Sequence, residues 1–465
     1  MGERTEEISI VELLGWSDGG KCGYCKDGKG DGLKRNLGEK NEEEEKEALE
    51  GGSVSLGCAA YSMHVRDFEN FLLWGWSRSG SYIYKPFMEK TCCPQYTIRL
   101  DVGKFILSRT QKKVLRNMRL YLEKGVKAKG GKEEREDMSK RGGQIGDQEM
   151  KEENNEEKKP PKVEKGLKKK EIRRKKAIEK WMKKGLNVED EMEKRMNKEK
   201  MRVKTLEDRI GSLSGEGFAH ELEIRLVAVD SEEYVERADE EYQLFKKYQE
   251  SIHSDDDVSR RGFDRFLVKT PLTSADRSMG SFHMRYMVDG RIVAVGVVDI
   301  LVESVSAKYL FYDPSFSFLS LGTYTALQEI QLVRKLQERM PRLRYYYMGY
   351  YISDCPKMRY KGAFRPSDLL CDRSLSWVPL SECSPLLSSN SHLFTLFRPS
   401  LPTAPRLDPR NAKLYLGGEI TNLNSLPPFV RSKITDKLES FCAFTTPDAS
   451  KIVLVIKELQ IDGMG

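Results

Sequence analysis

The sequence predicts an α/β (α+β) fold: a small cysteine-containing N-terminal domain and a domain built on a sheet with helices on both faces, separated by a charged insertion that is helical or disordered. Three features carry this. Between 217 and 348 the apolar residues switch repeatedly from a period of two to a period near 3.6, so strands and helices alternate. Asp289-Gly290 stands between two strand-like runs, a strong local hairpin signal. Residues 131–200 hold 23 Lys+Arg and 18 Asp+Glu, so 41 of 70 positions are charged, too polar a stretch to bury a core.

Taken in order, Val11, Leu13, Leu14 and Trp16 form a short apolar turn ahead of Cys22-Gly-Tyr-Cys25, and 26–52 is a Gly-, Lys- and Glu-rich loop. Val65, Phe68, Phe71, Leu72 and Trp76 have the spacing of a buried helix face. A second helix starts at the capping box Ser108-x-x-Gln111, buries Val114, Leu115, Met118 and Leu122, and stops at Gly125. After the insertion, Leu222 to Val229 alternates as a strand, and Asp230-x-x-Glu233 caps a helix with Tyr234, Val235, Ala238, Tyr242, Phe245 and Tyr248 on one face. The hairpin runs Ser281 to Val288 and Arg291 to Leu301. A strand over Val305 to Tyr312, a helix over 321–339 and a strand over Leu343 to Met348 follow. The order β, α, β, β, β, α, β is that of the Gcn5-related N-acetyltransferase (GNAT) layout, a fold-level analogy that fixes no substrate. Past about 385 only Ile452 to Ile456 reads as a strand. The expected domains are therefore 1–125, the insertion 126–209, the GNAT-like domain 210–390 and a C-terminal extension 391–465.

Composition narrows the function. No apolar run approaches the roughly 18–20 residues of a membrane helix, and MGERTEEISI lacks a signal peptide's basic-then-apolar layout, so a cytoplasmic protein, present also in the nucleus, is expected. The net charge is +7, of which 131–200 supplies +5. That segment reads as a solvated helix flanked by disorder, or as an arm that raises affinity for a polyanion such as RNA by counterion release.

Nine cysteines cluster too closely for a disulfide scaffold. Cys22-x-x-Cys25 is a common half-site for Zn²⁺ or an iron–sulfur cluster. Cys92-Cys93 would complete it only if the backbone turns, as Pro94 can make it do, since consecutive side chains otherwise diverge. Cys58, Cys355, Cys371, Cys383 and Cys442 read as small core residues. Between 74 and 99 aromatics alternate with Arg78, Lys85, Lys90 and Arg99, a pattern suited to stacking and to binding phosphate or carboxylate. Arg109, Lys112, Lys113, Arg116 and Arg119 share one helix face, a ready phosphate contact. Acyl-CoA enzymes of the GNAT layout bind pyrophosphate with an Arg/Gln-x-x-Gly-x-Gly/Ala turn. Here the turn is Leu319-Ser-Leu-Gly322-Thr-Tyr324, without the cation or the last small residue, so no CoA is expected.

CGYC, GWSRSGSYIYKP, TCCPQYTIR, SRTQKKVL, KKYQESIH, GSFHMRY, DGRIVAVGVVDIL, YLFYDPSFSFLSLGTYTALQEI and YYYMGYYISDCPKMRYKGAFRPSDLLC, in this order over about 11–122 and 220–385, resemble the arginyl-tRNA–protein transferase family. The resemblance implies transfer of arginine from arginyl-tRNA to the N-terminal amine of proteins beginning with Asp or Glu, and in some lineages oxidised Cys. The product is a destabilising N-terminus of the N-degron pathway. It also implies an iron–sulfur cluster, or zinc, on Cys22, Cys25, Cys92 and Cys93. The chain departs from the family pattern in the 26–52 insertion, in Ser77 where GW-Arg-Arg-SG is usual, and in Ser353-Asp354 where many relatives have His-Ser.

Because the donor is an activated ester, the site needs mainly to bind. The expected cationic pocket for the acceptor carboxylate is Arg78, Lys85 and Arg99. Asp299 and Asp313, with Glu329, are the expected guanidinium partners. His283 is the expected proton acceptor, and Lys357, Arg359 and Lys361 extend the tRNA surface of Arg109 to Arg119. The competing readings are a non-catalytic tRNA-binding adaptor, favoured by Ser77 and Ser353, and an acyl-CoA-dependent N-acetyltransferase.

Overall fold

A computed structural model describes residues 8–18, 22, 24, 52–127, 177–183, 185–194, 204–390 and 393–455, and divides the chain into two units, 1–131 with 212–465 and 132–211. In the smaller unit the described residues are helical at 177–182, 188–194 and Leu206–Ile210, the last begun by a capping box of Thr205 and Asp208.

The larger unit is built on two sheets. Its N-terminal part supplies β1 (Ile10–Asp18), β2 (Val54–His64), helix α1 (Val65–Leu73), β3 (Ser77–Ser79), β4 (Tyr82–Pro86), β5 (Tyr96–Asp101) and α2 (Arg109–Lys124). The expected turn at 11–16 is thus a nine-residue strand, formed because β2 pairs along its length. α2 has the expected capping box, Ser108 with Gln111, and ends at Gly125 with φ +63°. After the insertion come β6 (Leu222–Ala228), α3 (Ala238–Tyr248), β7 (Leu272–Thr273), β8 (Gly280–Val288), β9 (Arg291–Ile300), β10 (Ser304–Tyr312), α4 (Leu321–Leu336) and β11 (Tyr345–Tyr351). Ser231, not Asp230, caps the helical turn at 232–236, and the chain breaks at Arg237 before α3, which leaves Val235 exposed. The β8–β9 turn has positive φ at both Asp289 (50°) and Gly290 (78°), the conformation that matches strand twist. The chain continues through β12 (Ser367–Leu370), β13 (Trp377–Pro379), α5 (Leu380–Ser389), β14 (Lys413–Leu416), β15 (Glu419–Thr421), α6 (Pro428–Ala443) and β16 (Val453–Val455).

One sheet has the order β15-β14-β16-β1-β2-β4-β3, with β7 beside β2; the other is β13-β12-β5-β11-β10-β9-β8-β6. Two expected boundaries do not correspond to how the chain folds. The described residues of 391–465 form no separate extension, since β16 lies between β14 and β1 and α6 buries Val430, Ile434, Leu438 and Phe441 in the same core as Val11 and Trp76. β5, from the N-terminal region, lies inside the second sheet between β12 and β11.

Side-chain alternation puts a helix on each face of the second sheet. Val295 and Val297 of β9 join Leu244 and Phe245 of α3 in one core, while Gly296 between them faces Glu329 of α4. At its centre β10 and β11 are parallel, but they pair only from Ser304↔Tyr345 to Ser306↔Tyr347. Beyond that point β10 continues against β9 and β11 against β5. Each strand has an irregularity there, between Ala307 and Tyr309 and between Tyr347 and Tyr350. Gly349, at φ +68°, supplies the second. The two strands therefore part.

Candidate active site

The parting opens a cleft of about 250 Å³ between Ser306–Tyr309 on one wall and Tyr347–Tyr350 on the other. The segment 76–79, Tyr84, Phe68, Phe266, Tyr24, Met358 and Lys361 also line it. Eight of the 21 lining residues are aromatic, and burial pushes the Tyr84, Tyr347 and Tyr350 phenols up, so they remain neutral hydrogen-bonding groups at physiological pH.

The expected charged residues are deep in the fold and largely paired. Arg78 donates Nε–H to Asp299 Oδ2 (2.9 Å), Nη1–H to the Gly80 carbonyl (2.8 Å) and Nη2–H to Ser281 Oγ (2.7 Å), and Nη2 also meets Asp299 Oδ1. Arg78, expected to bind the acceptor carboxylate, and Asp299, expected to bind the guanidinium, thus hold each other. Lys85 donates to the Trp74 carbonyl (2.9 Å) and to Asp372. Arg99 is sandwiched between the Tyr345 and Trp377 rings, 4.0 and 3.9 Å from their centroids, with Asp368 4.0 Å away. Asp313 is fully buried, accepts from Lys247 Nζ (2.8 Å), Arg291 and the Ser315 N–H (3.0 Å), and caps a 3₁₀ turn. Burial alone would raise its carboxyl, but Lys247 and Ser315 hold it below the usual range. His283 is fully buried, Nδ1 against Glu241 (2.5 Å) and Nε2 against the Leu267 carbonyl (3.2 Å), so both ring nitrogens are occupied and neither faces a substrate amine. Glu329 accepts from Tyr346 Oη (2.5 Å) between β9 and α4, and burial pushes its carboxyl up to about 7.

The remaining cations divide by exposure. Arg109, Lys113, Arg116 and Arg119 are exposed on α2 and Lys112 is half-buried; Arg119 pairs with Glu123 (2.6 Å). Lys357 and Arg359 are exposed after β11, whereas Lys361 turns inward, donating to the Tyr350 carbonyl (2.8 Å), with burial lowering its ammonium to about 8. Lys308 on β10 is not among the expected site residues; its signal in the sequence is a lysine interrupting the apolar run Val305 to Tyr312. It lines the cleft and donates to the Arg78 carbonyl (2.5 Å).

Cys22, Cys92 and Cys93 are buried with their Sγ atoms within 4.8 Å of one another. The backbone bends at 92–93 and brings adjacent thiols to one point, as the sequence required of it. Tetrahedral thiolates at about 2.3 Å from zinc lie about 3.8 Å apart, so the soft donors and their spacing fit a metal ion or cluster. Cys25 falls outside the described residues. Cys355, read as a core residue, packs in the same buried group with Ile352 and Met358. Tyr24, whose N–H donates to Cys22 Sγ (3.4 Å), and Met358 link this centre to the cleft. No helix among the described residues is long and apolar enough to cross a membrane.

A mixed sheet parted between two parallel strands, with a cleft beside a thiol cluster and a cationic helix in the same unit, is an arrangement suited to an enzyme of the acyl-group transferase class. Residues 20–113 match the family described as arginine-tRNA-protein transferase, N terminus, and 240–371 match its C terminus. The chain is 34% identical to arginyl-tRNA–protein transferase 1 of Drosophila melanogaster over 425 residues, 81% of this chain and 83% of that protein. It is 33% identical to arginyl-tRNA–protein transferase 2 of Arabidopsis thaliana, over 73% of each. A 136-residue stretch is 38% identical to the aspartate/glutamate leucyltransferase of Chromobacterium violaceum, covering 28% of this chain and 50% of the bacterial protein. The chain belongs to the arginyl-tRNA–protein transferase family.

Proposed function

We propose that the protein transfers arginine from arginyl-tRNA to the N-terminal α-amine of proteins beginning with Asp or Glu, giving them a destabilising N-terminus for ubiquitin-dependent degradation. The observation that carries this reading is the cleft between β10 and β11, lined by segments matched to the family at both halves of the chain. The amine attacks the ester carbonyl, a C–N bond forms, the C–O bond to the terminal ribose breaks, and the ribose hydroxyl leaves with a proton. Binding both substrates in one cleft supplies most of the rate, because the ester is already activated. With Asp299 and Asp313 committed within the fold, the transferred guanidinium is held by the ring faces of the cleft. The exposed cations of α2, with Lys357 and Arg359, contact tRNA phosphates.

Cys22, Cys92 and Cys93, with Cys25 as fourth ligand, hold an iron–sulfur cluster, zinc being the alternative. Bound there, such a group would tie the segment carrying Tyr24 to the cleft lining. The work is expected in the cytoplasm and nucleus.

The test combines protein, labelled arginine, tRNA, arginyl-tRNA synthetase and a peptide with N-terminal Asp. Label should enter the peptide, and RNase should abolish it. A protein that binds tRNA yet never labels the peptide is an adaptor, and incorporation indifferent to RNase removes the tRNA route. Anaerobically purified protein should contain iron or zinc that Cys92→Ser loses.

A further inference from the structure

Among the cations expected to read an acidic acceptor, Arg78, Lys85 and Arg99 each face a carboxylate of the protein itself. The cleft wall contains a cation that does not. Lys308 is half-buried on β10, and its Nζ donates a hydrogen bond to the Arg78 carbonyl at 2.5 Å. No carboxylate among the described residues lies within ion-pair distance of it. Two charges act on it: Arg78 on β3, which disfavours its charged form, and Asp299 on β9, which favours that form less strongly and is itself paired with Arg78. Ser77, beside Arg78 in the lining, brings no charge. The other lysine of the cleft, Lys361, is held across the opening by the Tyr350 carbonyl and by Met358 Sδ (3.5 Å).

We infer that Lys308 is the group that takes the proton of the acceptor's α-ammonium and, once charged, pairs with the acidic side chain of that same acceptor residue. The inference rests on the N-terminal aminoacyl transfer proposed above and names the residue that reads the acceptor. An α-ammonium enters with its neighbouring carboxylate, and the ammonium proton moves to the Nζ lone pair. The neutral amine then attacks the arginyl ester, the ester C–O bond breaks, and the amine's second proton leaves with the ribose hydroxyl. Lys308 afterwards returns its proton to water. Burial, with Arg78 nearby, holds the Lys308 ammonium well below the ordinary lysine range, so the resting side chain can be neutral. The phenols of Tyr24, Tyr84, Tyr309, Tyr347 and Tyr350, which also face the cleft, are pushed up by burial and do not compete for the proton. An acceptor carboxylate arriving beside Nζ stabilises the charged form, so proton transfer is favourable only for an acidic N-terminus, and one residue couples specificity to activation.

The experiment measures arginine transfer to peptides that begin with Asp or Asn, from pH 6 to pH 9, by wild type, Lys308→Met and Lys308→Arg, with melting temperatures alongside. Transfer by the wild type to the Asp peptide is the control: its absence removes the proposed function, and this inference with it. Lys308→Met should lose the preference for Asp over Asn. Its kcat/KM at pH 6.5 should be roughly tenfold or more below wild type and should converge above about pH 8.5, because a free α-amine titrates near 7.7–8.0. Lys308→Arg keeps the cation but cannot accept a proton, so KM for the Asp peptide should stay close to wild type while kcat shows the same low, pH-rising profile. Wild-type kcat at pH 6.5 in Lys308→Arg, or an unchanged Asp/Asn ratio in a folded Lys308→Met, overturns the inference. If Lys308→Met melts too low to assay, the Lys308→Arg profile decides alone.

Discussion

Glu329 occupies space that exists because β9 has glycine opposite it: a Cβ at Gly296 would lie 2.7 Å from Glu329 Oε1. Its carboxyl accepts from Tyr346 and is otherwise shielded from water, so burial raises it to about 7, against about 4.3 in an unfolded chain. An acid whose folded value is raised favours folding most when protonated. Its contribution is therefore complete below the unfolded value and is lost as pH climbs from there towards 7. Glu329→Gln removes that titration and leaves an amide to meet Tyr346. Its stability relative to wild type should improve across about pH 4.5–7, by an amount on the order of a few kcal/mol, levelling off above that. Denaturant melts of both proteins at pH 5 and pH 8 check this; parallel wild-type and variant curves would show that Glu329 is charged throughout. The same residue shows what composition conceals. The charged groups near the cleft were legible as residue types, but Arg78 finds Asp299 across 221 positions and Lys85 finds Asp372 across 287, and no local pattern encodes such pairs. The cysteines were more legible, because metal chemistry restricts which residue types can gather at one point, yet Cys355 joined them from a distant strand end.

At the scale of elements, legibility follows the range of the interaction. The Ser108–Gln111 capping box and the Asp289-Gly290 turn satisfy their own backbone within four residues, so both stand in the structure as the sequence spells them. β1 does not: its partners are β2 and, more than 400 residues along the chain, β16, so its strand conformation depends on pairing that its own short apolar pattern only half announces. The cleft is also a product of elements, since it exists only because β10 and β11 stop pairing after three residues. Gly349 allows β11 its irregularity, and a Cβ there would have room, standing 3.9 Å from Lys361 Nζ, so the obstacle to another residue is the backbone itself. A β-branched residue in this left-handed conformation costs about 1–2 kcal/mol or drives the strand back into regular geometry. Gly349→Val should therefore lower the melting temperature by several degrees and reduce transfer more than that loss explains. Gly349→Ala should show a smaller effect of the same sign. Steady-state assays of the two variants at a temperature where both are folded make the comparison, and equal activity in all three proteins would mean the irregularity has no part in opening the cleft.

For the molecule as a whole, the basic excess and the site are in different places. Residues 131–200 carry +5 of the chain's +7, and all of them but Gly131 belong to the unit 132–211, whereas the cleft, the thiol cluster and α2 belong to the larger unit. The chain leaves the larger unit after α2 and re-enters it at the same point: the His220 N–H donates to the Leu122 carbonyl (3.0 Å), and the His220 ring stacks on Tyr121 with centroids 4.4 Å apart. An insertion whose two ends are fastened together can be removed with little strain on the remainder, because a short flexible linker spans the gap and closing a shorter loop costs less entropy. Long-range attraction of tRNA scales with net charge, whereas the contacts that orient the acceptor end belong to the local cations of α2 and of Lys357 and Arg359. Replacing 132–210 by a short Gly/Ser linker should accordingly weaken tRNA binding most at low salt and flatten its dependence on salt concentration, while transfer at saturating arginyl-tRNA stays within about threefold of the full chain, since the groups lost only steer encounter. Binding isotherms at three salt concentrations, with single-turnover transfer beside them, separate the two effects. A deletion protein that melts cooperatively, binds tRNA with an unchanged salt slope and transfers nothing would mean that the insertion contributes to the reaction itself.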